Sequence, residues 1–223
     1  MKNSLYIVLA LALAGCTSQP TVQTGPDAEV SFDGLHKIDN SAFHDAWADP
    51  DADWARYDQF IGGKAFFEYR AVKKTAKYSS VRPPASTDEF YIDEKNRERL
   101  TKEVSEIFGE ELAKSERFTR TEEPGQNVLI IRGGLHDIVS RTPPELITRG
   151  EIYIRSFGEA TLVLEVVDSM SGEVLARAVE RREAGSSSAM VAANTVTTWA
   201  EVRRLTRRWA TTLRKGLDNL PTE

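Results

Sequence analysis

The sequence predicts an α+β fold, a two-layer domain in which a mainly antiparallel sheet carries two long helices on one face. Three observations predict it. Asp93 to Glu116 and Ala192 to Leu217 each carry a single apolar stripe at helical spacing. Asn127 to Val139 and Glu151 to Arg182 are apolar or alternating runs of strand character. Finally, a helix with one apolar stripe must bury it, and a sheet with one apolar face supplies the surface.

The chain opens on a targeting pattern. Lys2 is a lone positive charge, Leu5 to Ala14 is a ten-residue apolar run, and Ala14 and Gly15 are small. Ten helical residues reach about 15 Å, half a hydrocarbon core of roughly 30 Å, so the run is a signal segment rather than a span. The sole cysteine follows at once, in Leu13-Ala14-Gly15-Cys16. This segment resembles the lipobox of bacterial lipoproteins. The resemblance implies a signal peptide over 1–15, cleavage before Cys16, and a diacylglyceryl group on its sulfur. It also implies three acyl chains, where two already give stable anchoring. Thr17 stands where an aspartate is associated with inner-membrane retention, which implies an outer-membrane lipoprotein whose domain faces the periplasm. Residues 16–28 are polar, with Pro20, Gly25 and Pro26, and predict a flexible tether. Residues 29–223 are then one folded domain of ordinary size.

From Glu29 to Tyr57 the pattern is irregular. Asp49, Asp51 and Asp53 alternate as in a calcium loop, but the sixth and twelfth positions are Trp54 and Phe60 rather than glycine and an acid. A solvated turn followed by an anchoring tryptophan is the expectation. Phe60 to Val72 predicts a strand with a bulge or close backbone approach at Gly62-Gly63. Arg82-Pro83-Pro84 marks a loop. The first helix follows, its stripe made of Leu100, Val104, Ile107, Phe108 and Leu112. Phe118 to Thr121 is a candidate short strand. Asn127 to Val139 is apolar on both faces and should lie centrally in the sheet. Pro143-Pro144 falls in a loop. In the strand from Glu151 to Val167, Ala160, Leu162, Leu164 and Val166 form a firm core face. Asp168 to Glu173, with Gly172 near its end, predicts a tight hairpin into the strand Val174 to Arg182. The last helix lines up Trp199, Val202, Leu205, Trp209, Leu213 and Leu217, and both indoles are expected to pack on the sheet.

Composition narrows the chemistry. With 29 basic and 34 acidic residues the net charge is −5, which argues against nucleic acid as partner. A single cysteine excludes an internal disulfide, a cysteine-rich zinc site and a CxxC pair. His36, His44 and His136 make no HExxH or helical pair, so no metal site is expected, and His136 reads as a half-buried strand residue. No G-x-S-x-G elbow exists, and Gly133-Gly134 lacks the lysine of a phosphate loop. No cofactor and no enzymatic activity are expected. A hydrolase with an unrecognised site is the minor alternative. One charged feature remains. Arg203, Arg204, Arg207, Arg208, Arg214 and Lys215 crowd the last helix against only Glu201 and Asp218. Helical spacing puts them on adjoining lines, a candidate contact for anionic lipid or glycan unless the acidic first helix neutralises it.

Several stretches carry a wider likeness. They are Gly34-Leu35-His36-Lys37-Ile38-Asp39-Asn40-Ser41 through Tyr57, Gly158-Glu159-Ala160 with Asp168-Ser169, and Gly172 to Ala178 with Arg181-Arg182. Trp199, Trp209-Ala210, Leu213 and Leu217-Asp218 complete the set. Together they resemble a bacterial lipoprotein family known only as domain of unknown function 3313, over roughly Ser31 to Leu220. The resemblance implies an envelope lipoprotein of α+β fold and brings no catalytic residue with it. The expected role is a non-enzymatic binding or assembly module, anchored to the membrane by its lipid and partnered by another envelope protein or component.

Overall fold

The computed structural model describes residues 19–72, 88–143, 152–185 and 189–222. Its first strands are β1 (Thr21–Val22), β2 (His36–Asp39), β3 (Asp45–Ala48) and β4 (Gln59–Tyr69). Helix α1 (Glu94–Leu112) precedes β5 (Thr119–Arg120) and β6 (Val128–Ser140). Then come β7 (Tyr153–Ile154), β8 (Ser156–Asp168), β9 (Val174–Gly185), β10 (Val191–Ala192) and helix α2 (Thr195–Asp218). Eight strands form one sheet in the order β1-β2-β3-β9-β8-β6-β4-β5, while β7 and β10 pair separately. β4 runs parallel to β5 and β6, and the remaining neighbours are antiparallel. A parallel pair needs a long crossover, which α1 provides between β4 and β6.

Both helices lie on one face of the sheet. Leu100, Val104 and Leu112 of α1 and Trp199, Trp209, Leu213 and Leu217 of α2 share a single core with Leu129, Ile131, Leu135 and Ile138 of β6. Ala160, Leu162, Leu164 and Val166 of β8 complete it, so the alternation read from the sequence does mark the covered face. Side-chain caps fix where each helix begins. Asp93 accepts from the Asn96 amide, and Asn194 with Thr197 forms a capping box. Such caps contribute about 1 kcal/mol each.

β6 is interior, as its apolar character on both faces requires. Gly133 and Gly134 let its neighbours close in. A Cβ at Gly133 would lie 2.1 Å from the Val163 carbonyl oxygen, and one at Gly134 would lie 2.0 Å from that of Phe66. The irregularity expected at Gly62-Gly63 is present as a register shift against β6 between Gly62 and Ala65. The β8–β9 hairpin closes with Gly172 in the left-handed region, at φ 76°.

Three boundaries differ from expectation. The stretch read as irregular before Tyr57 contains β2 and β3, each four residues long and held by backbone pairing, β3 to β9 by Asp45↔Val179 through Ala48↔Ala176. Buried Ala46 and Ala48 give β3 its core face without the β-branched residues that announce a strand. The expected flexible tether ends early, because Thr21 and Val22 pair with Asp39 and Ile38. Gln23 then ties down the following turn, donating to Asp39 and accepting from the Glu29 amide, both at 2.8 Å. Lastly, the strand read from Glu151 is broken at Arg155, and β7 leaves the main sheet to pair with β10. The prolines at 83 and 84, Pro144 and the serines at 186–188 lie outside the described residues.

Candidate functional site

The uncovered face of the sheet is charged but balanced. Register places Arg132, Glu165 and Arg177 side by side, Glu165 bridging the two arginines at 2.9 Å each. Arg177 also holds Asp33 at 2.6 Å. At one end of the sheet Arg70, Arg141 and Arg181 interleave with Glu89, Asp137 and Glu159. Asp137 sits on a bulge of β6 with φ 52°, and its carboxyl is held well below the usual carboxylate range by hydrogen bonds from Arg70 and then Arg181. Among the described residues these three cations and three anions pair with one another.

The buried polar groups are structural locks. Asp168, 2% exposed, accepts from Tyr57 Oη at 2.6 Å, from the Met170 and Ser171 amides at 2.8 and 2.7 Å, and from Arg56. Burial pushes the Asp168 carboxyl up, but the Tyr57 and backbone donors outweigh it and hold it well below the carboxylate range. Burial, helped by Asp168, pushes the Tyr57 hydroxyl up to about 12, so it remains a donor. Glu180, also buried, accepts from the Trp209 indole at 2.9 Å and from Arg182 at 2.6 Å.

The other candidates read from the sequence resolve simply. The Asp51 amide donates to Asp49 at 2.9 Å, while Trp54 is buried, so that segment is a turn with an aromatic anchor. His36 bonds the Gln23 carbonyl oxygen, His44 pairs with Asp45, and His136 meets Glu68 while packing 4.6 Å from the Phe66 ring. Among the described residues no group of three or more His, Cys, Asp or Glu could hold a metal ion. No described helix is long and apolar enough to cross a membrane. Cys16 lies outside the described residues.

The basic helix divides in two. Arg203 reaches Glu103 of α1 at 3.1 Å, Arg204 pairs with Glu201 and donates to the Gly185 carbonyl, and Arg214 holds Asp218 at 2.7 Å. α1 therefore neutralises part of the stripe, as the two acidic residues of α2 also do. Arg207, Arg208 and Lys215 are exposed, with no carboxylate within ion-pair distance among the described residues. On a 100° wheel they span the side of α2 opposite Trp209 and Leu213. With Arg203 and Arg204 they lie on an open face of α2 that also carries Ala200, Thr211 and Thr212. The Thr211 and Thr212 hydroxyls are spent on Glu111 and on the Arg208 carbonyl oxygen, so among the described residues the face offers three uncompensated cations, which suit an anionic ligand. It holds no nucleophile–base pair.

One feature escaped the sequence reading. Residues 189–200, from β10 into the first turns of α2, carry no charged side chain in a chain that is 28% charged. That absence was the available signal.

Comparison with known proteins adds the following. The chain resembles the PelC dodecamer protein from Paraburkholderia phytofirmans at 12% identity and TM-score 0.36, covering 76% of this chain and 94% of that one. It resembles protein XCC0632 from Xanthomonas campestris, of family DUF330, at 14% identity and TM-score 0.37, over 75% and 86%. A PDZ domain protein from Parabacteroides distasonis matches at 12% identity and TM-score 0.37, over 75% and 34%. No curated protein matches. The model of one family spans residues 30–213, and the chain belongs to that family, described as protein of unknown function DUF3313.

Proposed function

We propose that this chain is a lipid-anchored envelope protein, held at the outer membrane through Cys16, that acts in the periplasm as a binding or assembly module rather than an enzyme. The anchor is supported by the order of charge, apolar run, small residues and cysteine at the N-terminus. The observation that carries the binding role is the unequal pairing along α2. Arg203, Arg204 and Arg214 have carboxylate partners, whereas Arg207, Arg208 and Lys215 face solvent with none among the described residues. Leaving like charges together on one helix destabilises it slightly, so an anionic partner relieves a standing repulsion.

A photocrosslinker at Thr212, on the same face of α2, tests this in intact cells. A discrete adduct is expected. Replacing Arg207, Arg208 and Lys215 together by alanine should weaken binding about tenfold, since three exposed ion contacts of about 0.5 kcal/mol each sum to one decade. Raised salt should act in the same direction. A protein adduct identifies an envelope protein as partner, and a lipid or glycan adduct makes the helix a headgroup or sugar-phosphate reader. An adduct of the same yield in the triple variant contradicts the proposal.

A further inference from the structure

We propose that the β7–β10 ribbon, with Val196 beside it, seats the domain on the headgroup–acyl boundary of the bilayer that holds the anchor. The proposal rests on lipidation of Cys16. Cys16 is five residue steps from Thr21, which is already paired into the sheet, and at no more than about 3.6 Å each these steps reach roughly 18 Å. A domain on so short a leash cannot stand clear of the membrane.

Strand polarity decides which end comes close. Thr21 pairs with Asp39 of β2, β2 is antiparallel to β3, and Asp45 of β3 lies opposite Val179 of β9. Followed backwards through Thr21, β1 therefore points in the direction in which β9 runs to Gly185. Val179 and Gly185 are six residues, about 20 Å, apart along the strand, close to the reach of the leash. Gly185 is also where Ser156 begins β8, with Tyr153–Ile154 and the start of α2 just beyond it. The leash is thus long enough for a lipid on Cys16 and the ribbon to meet one membrane surface.

The chemistry of that end matches a bilayer surface. Met190 is 57% exposed, Tyr153 50% and Val196 76%, three of the seven large exposed hydrophobics among the described residues. Ile152, Ile154 and Val191 alternate to the other face of the ribbon and are half-buried. A two-stranded ribbon is marginal in water, and tyrosine beside aliphatic side chains suits the interfacial layer. The same seating assigns a direction to the basic face. α2 runs back along β9, from Arg204 at Gly185 to Trp209 at Glu180. Arg207 and Lys215 then stand about 16 and 28 Å beyond Val196, further than a Debye length of about 8 Å. The free cations of α2 face the periplasm, not the headgroups beneath the domain.

The test uses the full lipidated chain in vesicles of phosphatidylethanolamine and phosphatidylglycerol. Once Cys16 carries lipid, Met190→Cys is the only free thiol and takes an environment-sensitive fluorophore. Tyr153→Cys gives a second position on the ribbon, and Lys102→Cys on α1, 73% exposed, is the water control. The ribbon probes should shift to the blue and be quenched by doxyl-labelled lipid, and the control should do neither. If the Cys16 peptide carries lipid and the ribbon probes behave like the control, the seating is wrong and the anchor stands. If the Cys16 peptide carries no lipid, the anchor is wrong and the seating falls with it. In native envelope fragments, a blue shift without doxyl quenching would show a protein covering the ribbon and would also overturn the proposal.

Discussion

Replacing Trp209 with alanine is expected to lower the melting temperature on the order of 10–20 °C. The indole is 2% exposed and packs among Leu213, Leu217 and the β8 and β9 side chains. Removing it costs about 3–5 kcal/mol through the cavity it leaves. The same change strips Glu180 Oε2 of its 2.9 Å donor, which adds about 1–3 kcal/mol for an orphaned buried acceptor. Against a total stability of roughly 5–15 kcal/mol that is a large share, and each kcal/mol moves the midpoint of a domain this size by about 2–4 °C. Trp209→Phe separates the two contributions, since it keeps most of the volume and loses the hydrogen bond. A thermal melt of Trp209→Ala that matched wild type would move Trp209 from the core to an interface.

Asp168→Asn is expected to cost about 2–3 kcal/mol at neutral pH, because one acceptor among four convergent donors becomes a donor itself. The lock spans the fold. It fastens Arg56 and Tyr57, ahead of β4, to the turn between β8 and β9. Its pH dependence has a definite sign. The folded carboxyl titrates below its unfolded value of about 3.9, so near pH 4 the unfolded chain binds more protons. The stabilisation is complete above that value and is lost as pH falls through the folded pKa. Asp137 contributes in the same direction through Arg70 and Arg181. Urea melts between pH 7 and pH 2 should show wild type losing stability below about pH 4. Asp168→Asn should start lower and lose less, and equal slopes for the two proteins would contradict this assignment.

The long elements were legible because their apolar pattern is redundant. Trp199, Trp209, Leu213 and Leu217 repeat one message over five turns, and Ala160 to Val166 alternate without interruption. β1, β2 and β3 were not legible. They are two to four residues long, and their register comes from backbone pairing with one another and, through β3, with β9, rather than from side-chain period. The parallel placement of β4 against β6 is likewise a property of the crossover, which no local pattern encodes. On α2, the pairs Arg204–Glu201 and Arg214–Asp218 lie at helical spacing and were readable. Arg203–Glu103 joins residues a hundred positions apart and needed the packing of the two helices. Of the six candidate cations, two pairings were thus readable and the third needed the fold, which leaves Arg207, Arg208 and Lys215 without a carboxylate partner among the described residues.

The central claim, that this domain works from a lipid anchor at the envelope, is tested most directly by the mass of its N-terminal peptide. The full chain, expressed in a bacterium with two membranes and extracted from its envelope, should begin at Cys16 and carry acyl mass on that residue. Cys16→Ser should accumulate as a longer precursor that keeps residues 1–15. A wild-type chain that begins elsewhere, or whose Cys16 bears a free thiol, would contradict the account.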